Sequence, residues 1–186
     1  MNNIWFTADT HFGHKNIIEF SKRPFASAAD MDEILVQRWN EKIGPEDLVY
    51  HLGDVALLPP AKLRPLLNRL NGRICLITGN HENAALACAD RFDWIKPYYE
   101  LTLDDPDASR GKRHIMLFHY AMRVWNASHY GTWHLYGHSH GDLPDDENSL
   151  SIDVGVDCHN FYPLSYEEVK VIMSRKSWVA PFTARY

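Results

Sequence analysis

Ile74-Cys75-Leu76-Ile77-Thr78 and the four residues after it, Gly79-Asn80-His81-Glu82, are the stretch on which the reading of this chain turns. A short run of aliphatic and β-branched residues reads as a buried strand. A glycine at its end lets the backbone turn without a Cβ clash. The next three side chains are an amide, an imidazole and a carboxylate. Open α/β sheets carry their chemistry at this edge, beyond the C-terminal ends of the strands.

Working outward, the pattern of strand, turn and donor recurs. Residues 3–8 read as a first strand, followed by Asp9-Thr10-His11. In extended backbone residues i and i+2 point the same way, so Asp9 and His11 can share one target. Residues 12–25 form a loop with one short helical piece at most. Ser27 is an N-cap, Met31, Ile34, Leu35 and Trp39 share a helical face, and Gly44-Pro45 ends that helix. Residues 47–52 make the second strand, closed by Gly53-Asp54. Leu63, Leu66, Leu67 and Leu70 mark a further helix, which Pro65 should start late or kink. Asn71-Gly72 stops it before the strand at 74–78. Three strand–helix units in succession predict a parallel half-sheet.

The second half changes character. Residues 98–103 and 114–118 read as a hairpin around the turn at 104–111, and residues 132–136 and 149–154 as another such pair. Ser165 with Glu168 is a capping box and Leu164 with Val169 a hydrophobic staple, so a last helix runs to about Lys176. Residues 177–186 show no period.

The bulk numbers set bounds. A chain of 186 residues is most simply one domain, 1–186, able to bury a proper core. A net charge of -5 argues against a surface that grips extended nucleic acid, which wants a basic stripe. Cys75, Cys88 and Cys158 are scattered with no CxxC pair, the usage of free thiols in a reducing compartment. No signal peptide opens the chain and no apolar run approaches membrane-spanning length, so a cytoplasmic protein with no membrane partner is expected.

Five donor-bearing turns stand in order: Asp9-Thr10-His11, Gly53-Asp54, Gly79-Asn80-His81-Glu82, Phe118-His119-Tyr120 and Gly137-His138-Ser139-His140. Each comes after a predicted strand, so all five can meet at one edge. Mixed carboxylate, amide and imidazole donors suit Mn²⁺, Fe, Zn²⁺ or Ni²⁺ better than Ca²⁺ or Mg²⁺. Two carboxylates, one amide and four imidazoles exceed what one tetrahedral ion takes, and match two ions sharing a carboxylate. Taken singly, Asp9 or Asp54 reads as a helix N-cap and Asn80 as a turn residue; the ordered set is what points to metal.

This ordered set resembles the calcineurin-like metallophosphoesterases of the small, single-domain bacterial or phage type, whose pattern runs D-x-H, G-D, G-N-H-[DE], H, G-H-x-H. The resemblance covers Asp9 to His140 with no ligand position missing. It implies an α/β fold, a four-layer α/β/β/α sandwich of two mixed β-sheets flanked by helices. It implies that Asp9, His11 and His140 hold a first divalent transition-metal ion, with Mn²⁺ foremost, and that Asn80, His119 and His138 hold a second. Asp54 would bridge them. His81 would stand beside the ions as general acid toward a leaving group, oriented or charged by Glu82. The activity implied is hydrolysis of a small phosphate mono- or diester by a hydroxide bridging the two ions.

Other residues read more ambiguously. Arg123, Lys15 and Asn16 are candidates to meet substrate phosphate, Arg123 through its planar fork, and each reads equally as a surface residue. His51 reads as a satisfied core histidine and His114 as solvated. His14, His129, His134 and His159 fall near the site edge without completing a motif. Trp125, Tyr130 and Trp133 can stack a base or a sugar, but read first as core. Cys158 can neighbour the metals, but reads first as a buried, inert thiol. Two rival functions remain: a nuclease acting on short nucleic acid, and a non-catalytic scaffold of the same fold that binds a protein.

Overall fold

The computed structural model describes residues 3–183; the last three residues of the segment 177–186 lie outside them. Two sheets form a sandwich. The first takes the order β4-β3-β2-β1-β9, from β1 (Ile4–Thr7), β2 (Leu48–His51), β3 (Arg73–Ile77), β4 (Trp94–Lys96) and β9 (Leu164–Ser165). Its first four strands are parallel and β9 is antiparallel to β1. The second sheet is ordered β5-β6-β7-β8, from β5 (Tyr98–Asp104), β6 (Lys112–Phe118), β7 (Trp133–Tyr136) and β8 (Ser151–Asp153). It too is mixed, with β5–β6 antiparallel and β6–β7–β8 parallel.

Side-chain alternation along the strands decides which layer each residue joins. Trp5, Val49, Ile74 and Leu76 face outward onto α2 (Ala28–Lys42), α3 (Pro60–Leu67) and α4 (Asn83–Leu86), packing with Leu35, Trp39, Leu63, Leu67 and Ala85. Their neighbours Phe6, Tyr50, Cys75 and Ile77 face the other sheet and meet Ile115, Leu117, Trp133, Leu135 and Ile152. α5 (Tyr166–Ser174) adds Val169 and Met173 to this inter-sheet core. A short α1 (Lys15–Phe20) interrupts the loop after β1.

Local signals in the sequence act as expected at several ends. Ser27 Oγ accepts from the Asp30 N–H to cap α2, and Ser165 with Glu168 forms the complete capping box of α5. Two expectations need correction. Residues 132–136 and 149–154 are not a hairpin: β7 and β8 run parallel. The long connection between them carries two of the donor residues and returns the chain to the far end of the sheet, as a parallel pair requires. Pro65 neither delays nor ends α3, which begins at Pro60 and holds Pro65 within it. The helix is only eight residues long, so little ladder exists for a missing N–H to break. The short edge strands β4 and β9, at three and two residues, were not legible.

The hairpin turn is tied to α5 through Asp105, whose side chain is 1% exposed. It accepts from Tyr166 Oη at 2.7 Å, Lys170 Nζ at 2.9 Å and Arg113 Nη2 at 3.3 Å. Burial works to raise this carboxyl's pKa, but the Tyr166 and Lys170 bonds outweigh it and hold the group well below the usual range. A depressed folded-state pKa stabilises the fold above the unfolded value near about pH 4 and loses that effect as pH falls through the folded one. Asp105→Ala should cost roughly 3 kcal/mol at pH 7 by removing the acceptor that Tyr166, Lys170 and Arg113 share. In urea unfolding, the gap from wild type should narrow at pH 3; an equal gap at both pH values would show that the carboxylate charge is not its source.

Candidate metal centre

The register of the first sheet brings its donor turns level. Beyond the paired ends of β1 and β2, Asp9 N–H bonds the Gly53 carbonyl at 2.9 Å and His11 N–H bonds the Asp54 carbonyl at 3.0 Å. The second sheet meets them: Gly137 N–H bonds the His119 carbonyl at 2.9 Å, and the His138 N–H donates to Asp9 Oδ2 at 2.8 Å. Asp9, His11, Asp54, His138 and His140 all hold φ between 49° and 69°. That left-handed region costs a non-glycine residue roughly 1–2 kcal/mol. Such strain survives only where the surroundings over-determine it, and it gathers at functional sites.

Two glycines allow the turns to close on one another. A Cβ on Gly79 would run into Asp54 Oδ1, and one on Gly137 would lie 2.5 Å from Asp9 Oδ2. Both contacts are with buried carboxylates of the centre, which have no room to retreat.

The donors converge as two triads. Asp9, His11 and His140 form one, and Asp54, His119 and His138 the other, the donor atoms in each lying within 4.8 Å of one another. Asp54 faces both: Oδ2 is 3.5 Å from His11 Nε2 and Oδ1 is 3.6 Å from His119 Nε2. Asn80 joins the second triad, its Oδ1 3.2 Å from His119 Nε2. His119 Nδ1 lies 2.7 Å from the Leu52 carbonyl, which has no proton to give, so Nδ1 carries the hydrogen. Nε2 is then a lone pair facing the oxygens of Asn80 and Asp54. Acceptors gathered around one point want a cation between them.

The first triad makes the same demand. Among the described residues, Asp9 Oδ1 and His11 Nε2 are buried with no hydrogen-bond partner. Burial, and then Asp153, push the Asp9 carboxyl well above its ordinary pKa, while burial and the neighbouring His140 take His11 down to about 2. A buried carboxylate and neutral imidazoles without partners are costly on their own. A divalent ion satisfies both kinds of donor, so these residues fit the pair of transition-metal ions that the donor chemistry suggested.

Behind the first triad stands a set of residues that no motif had singled out. His140 Nδ1 lies 2.7 Å from Asp157 Oδ2, and Arg23 grips the same carboxylate through Nε at 2.8 Å and Nη2 at 2.7 Å. Arg23 also donates to the Asp9 and Thr10 carbonyls at 2.7 and 3.1 Å. Burial works to raise Asp157, but its bonds to His140 and Arg23 hold it low. The carboxylate thus turns His140 so that Nε2 faces the triad. Asp157→Asn should lower the affinity of the folded protein for a divalent ion at the first triad by about 10–100-fold. Calorimetric titration with Mn²⁺ reads this, and an isotherm unchanged from wild type would reject it. Asp153, bonded to Ser139 Oγ at 2.6 Å and Gly155 N at 2.7 Å, braces the His138–His140 turn in a similar way.

His81 belongs to neither triad. Its side chain is exposed, its ring centroid lies 5.9 Å from that of His11, and its N–H donates to Asp54 Oδ1 at 2.9 Å. Glu82 does not pair with it. Instead the buried Glu82 carboxylate accepts from Asp54 N and from Gly79 N at 3.2 Å, fastening the Asp54 turn to the Gly79 turn. Burial raises its pKa to about 7.

The remaining candidates scatter. Arg123 is exposed and lines a cleft with Trp125 and Trp178; Lys15 lines another with Ile18 and Ala26, and Asn16 is exposed beside it on α1. Neither cleft contains a triad residue. Arg123 lies where it does because buried His134 draws the preceding loop over the outer face of the second sheet, Met122 N–H donating to His134 Nε2 at 3.2 Å. His14 sits beside the first triad, its Nδ1 3.4 Å from His11 Nδ1. His51 is buried and bonds Thr10 Oγ1 at 3.0 Å, His159 bonds the Asp153 carbonyl at 2.7 Å, and His114 is exposed. His129 lies against Tyr130 and Phe182, away from both triads. Trp133 is core and Tyr130 is 66% exposed. Cys158, read as buried, is exposed: the short turn after Gly155 carries it to the surface.

Comparison with known proteins agrees with this geometry. The family model described as calcineurin-like phosphoesterase matches residues 3–165. An uncharacterised protein of Methanocaldococcus jannaschii, MJ1445, is 30% identical over 184 residues, covering 94% of this chain and 93% of its own length. The gene 66 protein of Mycobacterium phage D29 is 31% identical over 199 residues, covering 94% of this chain and 97% of its own. Among solved structures, the Aquifex aeolicus protein AQ665 superposes with a TM-score of 0.69 at 21% identity, over 92% of this chain and all of its own, and shares the fold.

Proposed function

The chain belongs to the calcineurin-like phosphoesterase family, and from that premise we propose that it hydrolyses a small phosphate mono- or diester with the help of two divalent transition-metal ions, Mn²⁺ foremost. The observation that carries the reading is Asp54, whose two carboxylate oxygens face one triad each. When bound, such a pair of cations meets the charge on the phosphate oxygens and lowers the pKa of an attacking water. The protein's own part is to hold that pair rigidly. Strained turns, the Leu52 carbonyl behind His119 and the Arg23–Asp157 pair behind His140 leave the donors little freedom, which is what preorganised stabilisation of developing charge requires.

His81 acts as the general acid. As the water oxygen bonds to phosphorus, the P–O bond to the leaving group breaks. The leaving oxygen keeps the bonding pair and takes the proton from the His81 imidazolium. The proton shed by the water passes to solvent, from which His81 is recharged. Exposure of His81 supports that recharging, and its backbone bond to Asp54 supports its position beside the reacting centre. The partner is a small ester rather than extended nucleic acid, since the net charge is -5 and the candidate arginine lies away from the triads. Among the described residues no helix is long and apolar enough to cross a membrane.

The test pairs p-nitrophenyl phosphate with bis-p-nitrophenyl phosphate. Mn²⁺-loaded protein should turn over at least one of them, lose that activity to a chelator, and regain it on adding Mn²⁺ back. No hydrolysis of either under any added divalent metal would favour the protein-binding scaffold instead.

A further inference from the structure

The triads open beside a cleft of about 260 Å³ lined by Leu57, Leu58, Asn80, His81, Asn83 and Ala84. Among the described residues, no lysine, arginine, aspartate or glutamate lines it. One wall comes from the loop after Asp54, the other from the turn and short helix after Gly79, so two of the donor turns run directly into it. Leu58 packs on Gly13, which joins the cleft to the third, the turn that carries His11. His81 and Asn80 form its inner end.

We propose that this cleft is the leaving-group subsite and that it selects an uncharged, single-ring aromatic group. The inference rests on the phosphoesterase reading above. An ester oxygen protonated by His81 must sit within hydrogen-bond reach of that ring, and the group attached to it then projects into the space that His81 lines. Leu57, Leu58 and Ala84 offer apolar faces, while the Asn83 amide can bond a polar ring substituent in its plane. A cavity of about 150 Å³ is enough for benzene, so a single ring fits in this cleft. Burying a charged leaving group there would leave its charge unpaired.

Two measurements test the subsite with Mn²⁺-loaded protein. The first is calorimetric binding of phenylphosphonate against methylphosphonate; the second is the ratio of kcat/KM for phenyl to methyl esters, each as mono- and diester. Leu57 is 46% exposed, so Leu57→Asp should fold normally while placing a carboxylate in the cleft. Wild type should prefer the phenyl ligand at least tenfold, and Leu57→Asp should reduce both the binding preference and the kinetic ratio about 10–100-fold. Comparing variant with wild type cancels the intrinsic reactivity of the two leaving groups. Esters hydrolysed with a ratio that Leu57→Asp leaves unchanged would overturn the subsite and spare the phosphoesterase. A phenyl preference that Leu57→Asp abolishes, in a protein that cleaves none of the esters, would uphold the aromatic pocket and sink the phosphoesterase reading.

Discussion

Asp54→Asn should lower turnover by roughly a thousandfold or more and reduce the metal content of both triads together. No other donor has this reach. Asp54 Oδ2 stands 3.5 Å from His11 and Oδ1 3.6 Å from His119, so one substitution removes the single negative charge that the two triads share. It also replaces the carboxylate that accepts from the His81 N–H, while the bond from the Asp54 backbone N–H to Glu82 stays. Loss of any single histidine should by contrast weaken one ion more than the other. The measurement is metal per chain after Mn²⁺ loading and gel filtration, alongside kcat. An Asp54→Asn protein that keeps two ions and most of its turnover would show that the carboxylate does not join the triads.

His81→Ala should behave differently, cutting kcat by about 10²–10⁴-fold with both ions retained. The reason is positional: His81 is exposed and belongs to neither triad, and the bond it makes to Asp54 comes from its backbone, which the substitution keeps. The size of the loss should depend on the leaving group. An acidic phenol needs little help in departing, whereas an alkoxide needs its proton at once, so alkyl esters should suffer more than p-nitrophenyl esters. A uniform loss across leaving groups, or a loss of metal, would assign His81 a structural part instead.

The donor residues were legible because each announces itself locally. A hydrophobic run ends, a glycine or a tight turn comes next, and a carboxylate, amide or imidazole stands at the turn. The direction in which each side chain beyond the turn points was not legible. Arg123 sits four residues past His119 in sequence, yet His134 pulls the intervening loop over the opposite face of the sheet. Glu82 is next to His81 in the chain, yet its carboxylate reaches back to the Asp54 turn. Adjacency in sequence says little about direction once a turn intervenes.

The sequence by itself determined the strand runs other than β4 and β9, the caps at Ser27 and Ser165, and the identity and order of the donors, since these depend on side-chain periodicity and on hydrogen bonds between near neighbours. Tertiary structure alone decided that β7 and β8 run parallel and that Arg23 holds Asp157, 134 residues away, against His140. It also decided that Asp54 divides its two oxygens between the triads. Long-range pairings of this kind leave no local mark, because their energy comes from burial and charge contacts that exist only after the two sheets have packed.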